Sequence, residues 1–239
     1  MNLNSYLKPL DEENFNTAIL LYSSDLSHDE LIELIKTDSV VRKQAAVLML
    51  DKVTNVEEAQ ILLDNLTGQD GKVREAISFK LNEFTSDKSL FKYFNANPNT
   101  EIFLQGALDI NGNICRNVIS AMKNFKVNQK FVKSLITYLL PLTTELLEKV
   151  EKFNLQDGKY KINKEVFKLY WALEVVYEFA DFIFLDEIKS ILIRAAKVHD
   201  YTIREKVAKI LTKNFNDSEL LTLKEALKAD ENYYVRRFN

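Results

Sequence analysis

A short string recurs along this chain. Asp38-Ser-Val-Val-Arg42 returns as Asp70-Gly-Lys-Val-Arg74 and as Asp200-Tyr-Thr-Ile-Arg204, each of the form D-x-x-[VI]-R. Asp38 and Asp70 lie 32 residues apart. Looser copies surround Ile114-Cys115-Arg116 and run over Asp230-Glu-Asn-Tyr-Tyr-Val-Arg236. Five of the seven arginines fall in this motif, with only Arg194 and Arg237 outside it. A fixed beat of this length marks a stack of small units, each unable to bury its apolar face alone.

Each copy opens an amphipathic helix. Apolar residues follow at helical spacing, as in Val73, Ile77, Leu81 and Phe84, or Ile203, Val207, Ile210 and Leu211. The aspartate is placed to cap the helix N-terminus, where a carboxylate accepts orphan backbone N–H groups. A shorter helix precedes each motif. Ser27-His-Asp-Glu30 reads as a capping box leading into one, and Thr54-Asn-Val-Glu57 as a capping box leading into the next. The unit is therefore a short helix, a tight turn holding an aspartate, and a longer helix.

Composition excludes the main competitors. Five glycines and three prolines in 239 residues cannot supply the turns of β-sandwiches, barrels or dinucleotide-binding folds. Hydrophobic content of 46% beside 28% charged residues excludes global disorder. A lone cysteine, Cys115, excludes an internal disulfide and a cysteine-based zinc cage. The formal charge of −3 gives no general attraction to nucleic acid or anionic membranes. That charge is uneven: residues 1–120 carry a net −7 and residues 121–239 a net +4. The N-terminus lacks a basic start and apolar run, and the longest uncharged apolar-rich stretch, Ser134–Thr144, is far short of a membrane span. A cytoplasmic location is expected.

The D-x-x-V-R signature at the head of the second helix resembles HEAT-like repeats, especially the short kind of about 30 residues. The resemblance implies an all-α, right-handed α-solenoid of helical hairpins, about six repeats in a single domain over 1–239. It also implies that Asp38, Asp70 and Asp200 form a polar ladder between repeats with Arg42, Arg74 and Arg204, with Arg236 in the last copy. Two departures stand out. Val73 to Cys115 is 42 residues, and the excess falls near Asn95–Asn99, with a short extra helix expected from Thr100 to Leu108. Arg116 to Arg204 is 88 residues, room for one enlarged repeat over about 128–184. Its first helix contains Pro141, where a kink or break is expected. The last copy ends just after Arg236, so a short cap closes the stack or the chain continues a longer array.

Residues that carry chemistry are sparse. There is no phosphate-binding glycine loop and no nucleophile elbow. His28 and His199 are expected at helix ends, and Cys115 as a small buried apolar residue. No catalytic residue, metal site or cofactor is indicated. The enlarged repeat has an unusual aromatic run. On its second helix Phe167, Trp171, Glu174 and Glu178 share one stripe. Two rings and two carboxylates suit a cationic side chain or a basic peptide. Packing on a neighbouring repeat is the other reading of the same stripe. Lys126, Lys130 and Lys133 around one turn, with Lys161 and Lys164 after an Asp-Gly loop, are candidate anion-binding residues if they converge; otherwise they form a solvated face. The expected function is a scaffold that binds a protein or peptide on a curved helical face. The alternative is a nucleic-acid-binding HEAT-like protein. DNA-alkylation-repair glycosylases, which the chain resembles in length and repeat type, are one such class. HEAT proteins related to bilin lyases are a third relative by repeat type.

Overall fold

The computed structural model describes residues 12–152 and 164–238, and among them there are helices and turns but no strands. The chain groups into two compact units, 1–127 and 128–239.

In the first unit, α1 (Glu12–Tyr22) precedes a hairpin of α2 (His28–Thr37) and α3 (Val40–Met49). A second hairpin follows, α4 (Val56–Asp64) and α5 (Gly71–Ser86). An additional helix, α6 (Lys88–Ala96), comes before the third hairpin, α7 (Thr100–Ala107) and α8 (Gly112–Lys123). The ten extra residues between motif copies thus accommodate the additional helix α6. The helix expected over 100–108 is α7, the leading arm of the next hairpin. Helices α3, α5 and α8 pack in sequence, each on the next. Their contact faces bury Val73, Ile77, Leu81 and Phe84 against Ile114, Val118 and Met122. Each such side chain contributes roughly 1.5–3 kcal/mol on leaving water. Phe125 closes the end of this core, with the rings of Phe91 and Phe103 both 4.9 Å away edge-on. At Gly106 a methyl group would meet Leu66 at 3.0 Å and Val118 at 3.2 Å, so glycine allows α7 to approach its neighbours.

In the second unit, α9 (Gln129–Glu151) pairs with α10 (Lys164–Phe179), α11 (Leu185–Ala195) with α12 (Tyr201–Leu211), and α13 (Ser218–Lys228) with the short α14 (Tyr233–Arg236). Helix α10 packs on α12, and α12 on α14. The long helix α9 does not break at Pro141; it runs through it as one 23-residue helix. Pro141 is exposed, so its ring lies on the solvent side and the cost is one backbone bond, the one Thr137 would have accepted.

The caps follow the sequence with one shift. Ser27 and Glu30 form both halves of a capping box. At α4 the cap is Asn55, one residue later than expected, and Glu58 rather than Glu57 accepts from the Thr54 backbone at 2.7 Å. Glu58 is the more buried of the two glutamates and also receives the Thr54 hydroxyl and the Asn55 amide.

Candidate functional site

The motif residues build joints between hairpins. Asp70 and Asp200 cap their helices, accepting from the backbone of Lys72 at 2.8 Å and Thr202 at 2.9 Å. Their motif arginines reach elsewhere. Arg74 bonds Asp109 at 2.7 Å and 3.2 Å, in the turn of the next hairpin. Arg204 does the same to Asp230, also at 2.7 Å and 3.2 Å. Each guanidinium also donates to its own turn, Arg74 to the Gln69 carbonyl and Arg204 to the Val198 and His199 carbonyls. The ladder therefore connects an arginine to the following aspartate. Arg42 is the exception, pairing with Asp38 within its own copy at 2.9 Å. Arg236 donates to the carbonyls of Asp230 and Glu231. The bond from Asp109 holds the Arg74 pKa above its ordinary value, and the bond from Arg204 holds Asp230 below its own.

His28 heads α2 with its Nε2 3.0 Å from Glu58. Cys115 is fully buried, its thiol donating to the Asp109 carbonyl at 3.1 Å. Burial pushes its pKa up to about 12, which removes thiolate chemistry at neutral pH.

The stripe on α10 does not stand open. Trp171 is 8% exposed, packed edge-on against Phe167 and Tyr170, and its indole N–H has no hydrogen-bond partner among the described residues. Glu174 is engaged by two lysines of α12. Lys206 bonds it closely and Lys209 donates at 2.6 Å. Lys206 also sits 4.0 Å from the centre of the Tyr170 ring, and Lys209 4.2 Å from that of Tyr177. Rings and carboxylate on α10 thus do bind cations, but the cations are the chain's own and the rings are tyrosines. Burial raises the Glu174 pKa; the bonds from Lys206 and Lys209 outweigh it and leave the carboxyl below its usual range. Phe167 and Glu178 are half-buried.

Of the candidate anion-binding lysines, Lys126 is half-buried in the 3-10 turn Asn124–Val127 of the first unit. Lys130 and Lys133 are exposed on the first turns of α9, and Lys164 is exposed at the head of α10. Lys161 lies outside the described residues.

A different feature of the second unit offers an open surface. Helices α9 and α11 bound a groove of about 1000 Å³. Val132, Ile136, Leu140, Pro141, Phe182, Phe184 and Ile191 supply its apolar lining. Phe184, just before α11, is 80% exposed. The helices run in the same direction, because Arg194 in the last turn of α11 holds Glu151 at the end of α9 with bonds of 3.0 Å and 2.6 Å. Lys133, Glu145, Glu148 and Glu187 stand on the rim. Sequence reasoning missed this site. Its signals were the uncharged run Ser134–Thr144 between Lys133 and Glu145, and an unpatterned Phe184. They become a site only when α9 and α11 come together.

No protein-family model matches the chain, and no curated protein matches its sequence. Solved structures do match in backbone. A designed armadillo repeat protein superposes with a TM-score of 0.50 at 13% identity, covering 89% of this chain and 96% of its own. Another, solved in complex with the peptide (KR)4, has a TM-score of 0.51 at 13% identity with the same coverage. A third, described as computationally designed for modular peptide recognition, has a TM-score of 0.51 at 12% identity, again with the same coverage. The fold is an all-α helical-repeat solenoid. These three solenoids are designed armadillo repeat proteins, so the likeness establishes the repeat class and not the HEAT type. No helix among the described residues of the solenoid is long and apolar enough to cross a membrane.

Proposed function

We propose that this solenoid is a peptide-binding scaffold and that the groove between α9 and α11 is its contact site. One observation carries the reading: Phe184 holds a large ring in solvent beside an apolar floor, where a monomer gains nothing by exposing it. A partner side chain packed between Phe184 and Leu140 buries both, the arrangement of an interface anchor. That three designed neighbours are peptide-recognition or armadillo repeat proteins supports the same class of function. The two-helix hairpins with an arginine at the head of the second helix support a HEAT-like repeat type.

The nucleic-acid alternative has less support. All seven arginines have partners within the chain, carboxylates, the Asn113 side chain or turn carbonyls, and Arg74, Arg194 and Arg204 already spend two nitrogens each on a carboxylate, the geometry a bidentate phosphate contact needs. The test is selection of peptide ligands from a random library on the purified chain, followed by titration. Selected peptides should lose at least about tenfold in affinity on Phe184→Ala or Ile136→Glu. Selected peptides indifferent to both substitutions would place the contact elsewhere. Binding of a labelled single-stranded DNA that displaced them would favour the alternative.

A further inference from the structure

The groove is polar along its length, and that polarity constrains what lies in it. On α9 its lining follows one stripe at helical spacing, through Gln129, Lys133, Ile136, Leu140, Pro141, Thr144 and Glu148. Lys133 stands at one end. No charge follows until Glu145, twelve residues or about 18 Å further along the helix. At that second end Glu145 and Glu148 project from α9, and Glu187 faces them from α11. Besides Lys149, the cation on the lining at this end is Arg194, whose guanidinium is held by Glu151. Lys133, Glu148 and Glu187 form no salt bridge among the described residues, and Glu145 pairs only with Lys149 one turn away on the surface. Such exposed pairs exchange readily. In the middle, Pro141 has no backbone N–H to give the Thr137 carbonyl.

Resting on the groove as a peptide site, we propose that its occupant is an amphipathic segment with opposite charges at its two ends. An aspartate or glutamate lies over Lys133. An apolar middle packs on Ile136, Leu140 and Phe184, and lysine or arginine lies over Glu145, Glu148 and Glu187. A uniformly basic peptide is disfavoured because its far end meets Lys133. A polyanion is disfavoured by the three glutamates. Like charges at a rim oppose binding and mismatched partners are rejected by them.

The experiment uses three fluorescein-labelled peptides of about twelve residues, matched to the span of the groove. All share a leucine–alanine middle. One carries two glutamates at one end and two lysines at the other, one carries lysines at both ends, and one carries glutamates at both ends. Anisotropy titrations of the full chain at low ionic strength should place the bipolar peptide about fivefold to tenfold tighter than either uniform one, with the preference shrinking at high salt. Lys133→Glu should move the preference to the basic peptide. Glu145→Lys with Glu148→Lys should move it to the acidic peptide. All of these positions are solvent-exposed, and far-ultraviolet circular dichroism of each variant verifies the fold. If all three peptides bind alike, and all are lost on Phe184→Ala, the groove reading stands and the polarity proposal is overturned. If the basic peptide binds tightest to the unmodified chain, polarity is likewise overturned. If none binds, or none responds to Phe184→Ala, both readings fail together.

Discussion

Two helix–helix contacts in this molecule join the same positions of successive hairpins by different chemistry. Between α5 and α8 the polar rungs are largely amides. Asn113 donates to Glu75 at 2.9 Å, Asn117 to Ser78 at 3.2 Å and Asn124 to Thr85 at 3.4 Å. Between α10 and α12 the rungs are charged, with Glu174 between Lys206 and Lys209 and tyrosine rings beside the ammonium groups. The apolar packing behind both is similar: Ile77 and Leu81 against Val118 in one, Leu173 and Val176 with Val207 and Ile210 in the other. The difference teaches that the repeat specifies the apolar seam and the arginine joint. The rung between them is free to vary, and with it the response to acid and salt.

The largest expected effect breaks what the two regions share. Arg204→Ala leaves Asp230, only 8% exposed, without its guanidinium, and should cost about 3–5 kcal/mol in urea unfolding. Arg74→Ala, with Asp109 at 10% exposure, should cost nearly as much. A loss below about 1 kcal/mol in both would show that the joints are ornamental. Next, Glu174→Gln should cost about 2 kcal/mol, because Lys206 is almost fully buried and keeps only a neutral acceptor. By contrast Asn117→Ala should cost about 1 kcal/mol, the worth of a neutral bond. Equal losses would erase the distinction between the two contacts.

Acid sharpens the comparison further. Glu174 and Asp230 both have carboxyl pKa values held down in the folded chain. Their contribution is complete above the unfolded-state values, about 3.9 for Asp and 4.3 for Glu, and is lost as pH falls through the lower folded ones. Protection against hydrogen exchange in α10 and α12, taken relative to the intrinsic rate at each pH, should therefore fall below about pH 4. Glu174→Gln should flatten part of that acid response. The smallest effect concerns the groove: Phe184→Ala should change stability by less than about 0.5 kcal/mol, since the ring is mostly in solvent. A larger loss would mean that Phe184 supports the second unit instead of awaiting a partner.

Much of this was legible in the sequence. The motif located the hairpin turns because an aspartate cap and a helical apolar period are local facts about the backbone. Which aspartate an arginine chooses was not legible. Asp70 is near Arg74 in sequence, but it is committed to the Lys72 backbone, and Asp109 approaches only when α8 stacks on α5. Of the stripe Phe167, Trp171, Glu174 and Glu178, it is Glu174 that meets Lys206 and Lys209, and the rings beside these cations are Tyr170 and Tyr177. A helical wheel says which residues share a face, but not that α12 brings Lys206 and Lys209 to it. The groove was hidden for a similar reason. Its two walls lie some fifty residues apart, and neither is unusual alone.

The forward reach of the arginines has a consequence for how the protein is made. As the chain leaves the ribosome, the guanidinium of Arg74 must wait for Asp109 to emerge 35 residues later, and Arg204 waits 26 residues for Asp230. These two hairpins are thus latched by their successors, so their completion travels in the direction of translation and each of the two turns stays unfastened until the next has emerged.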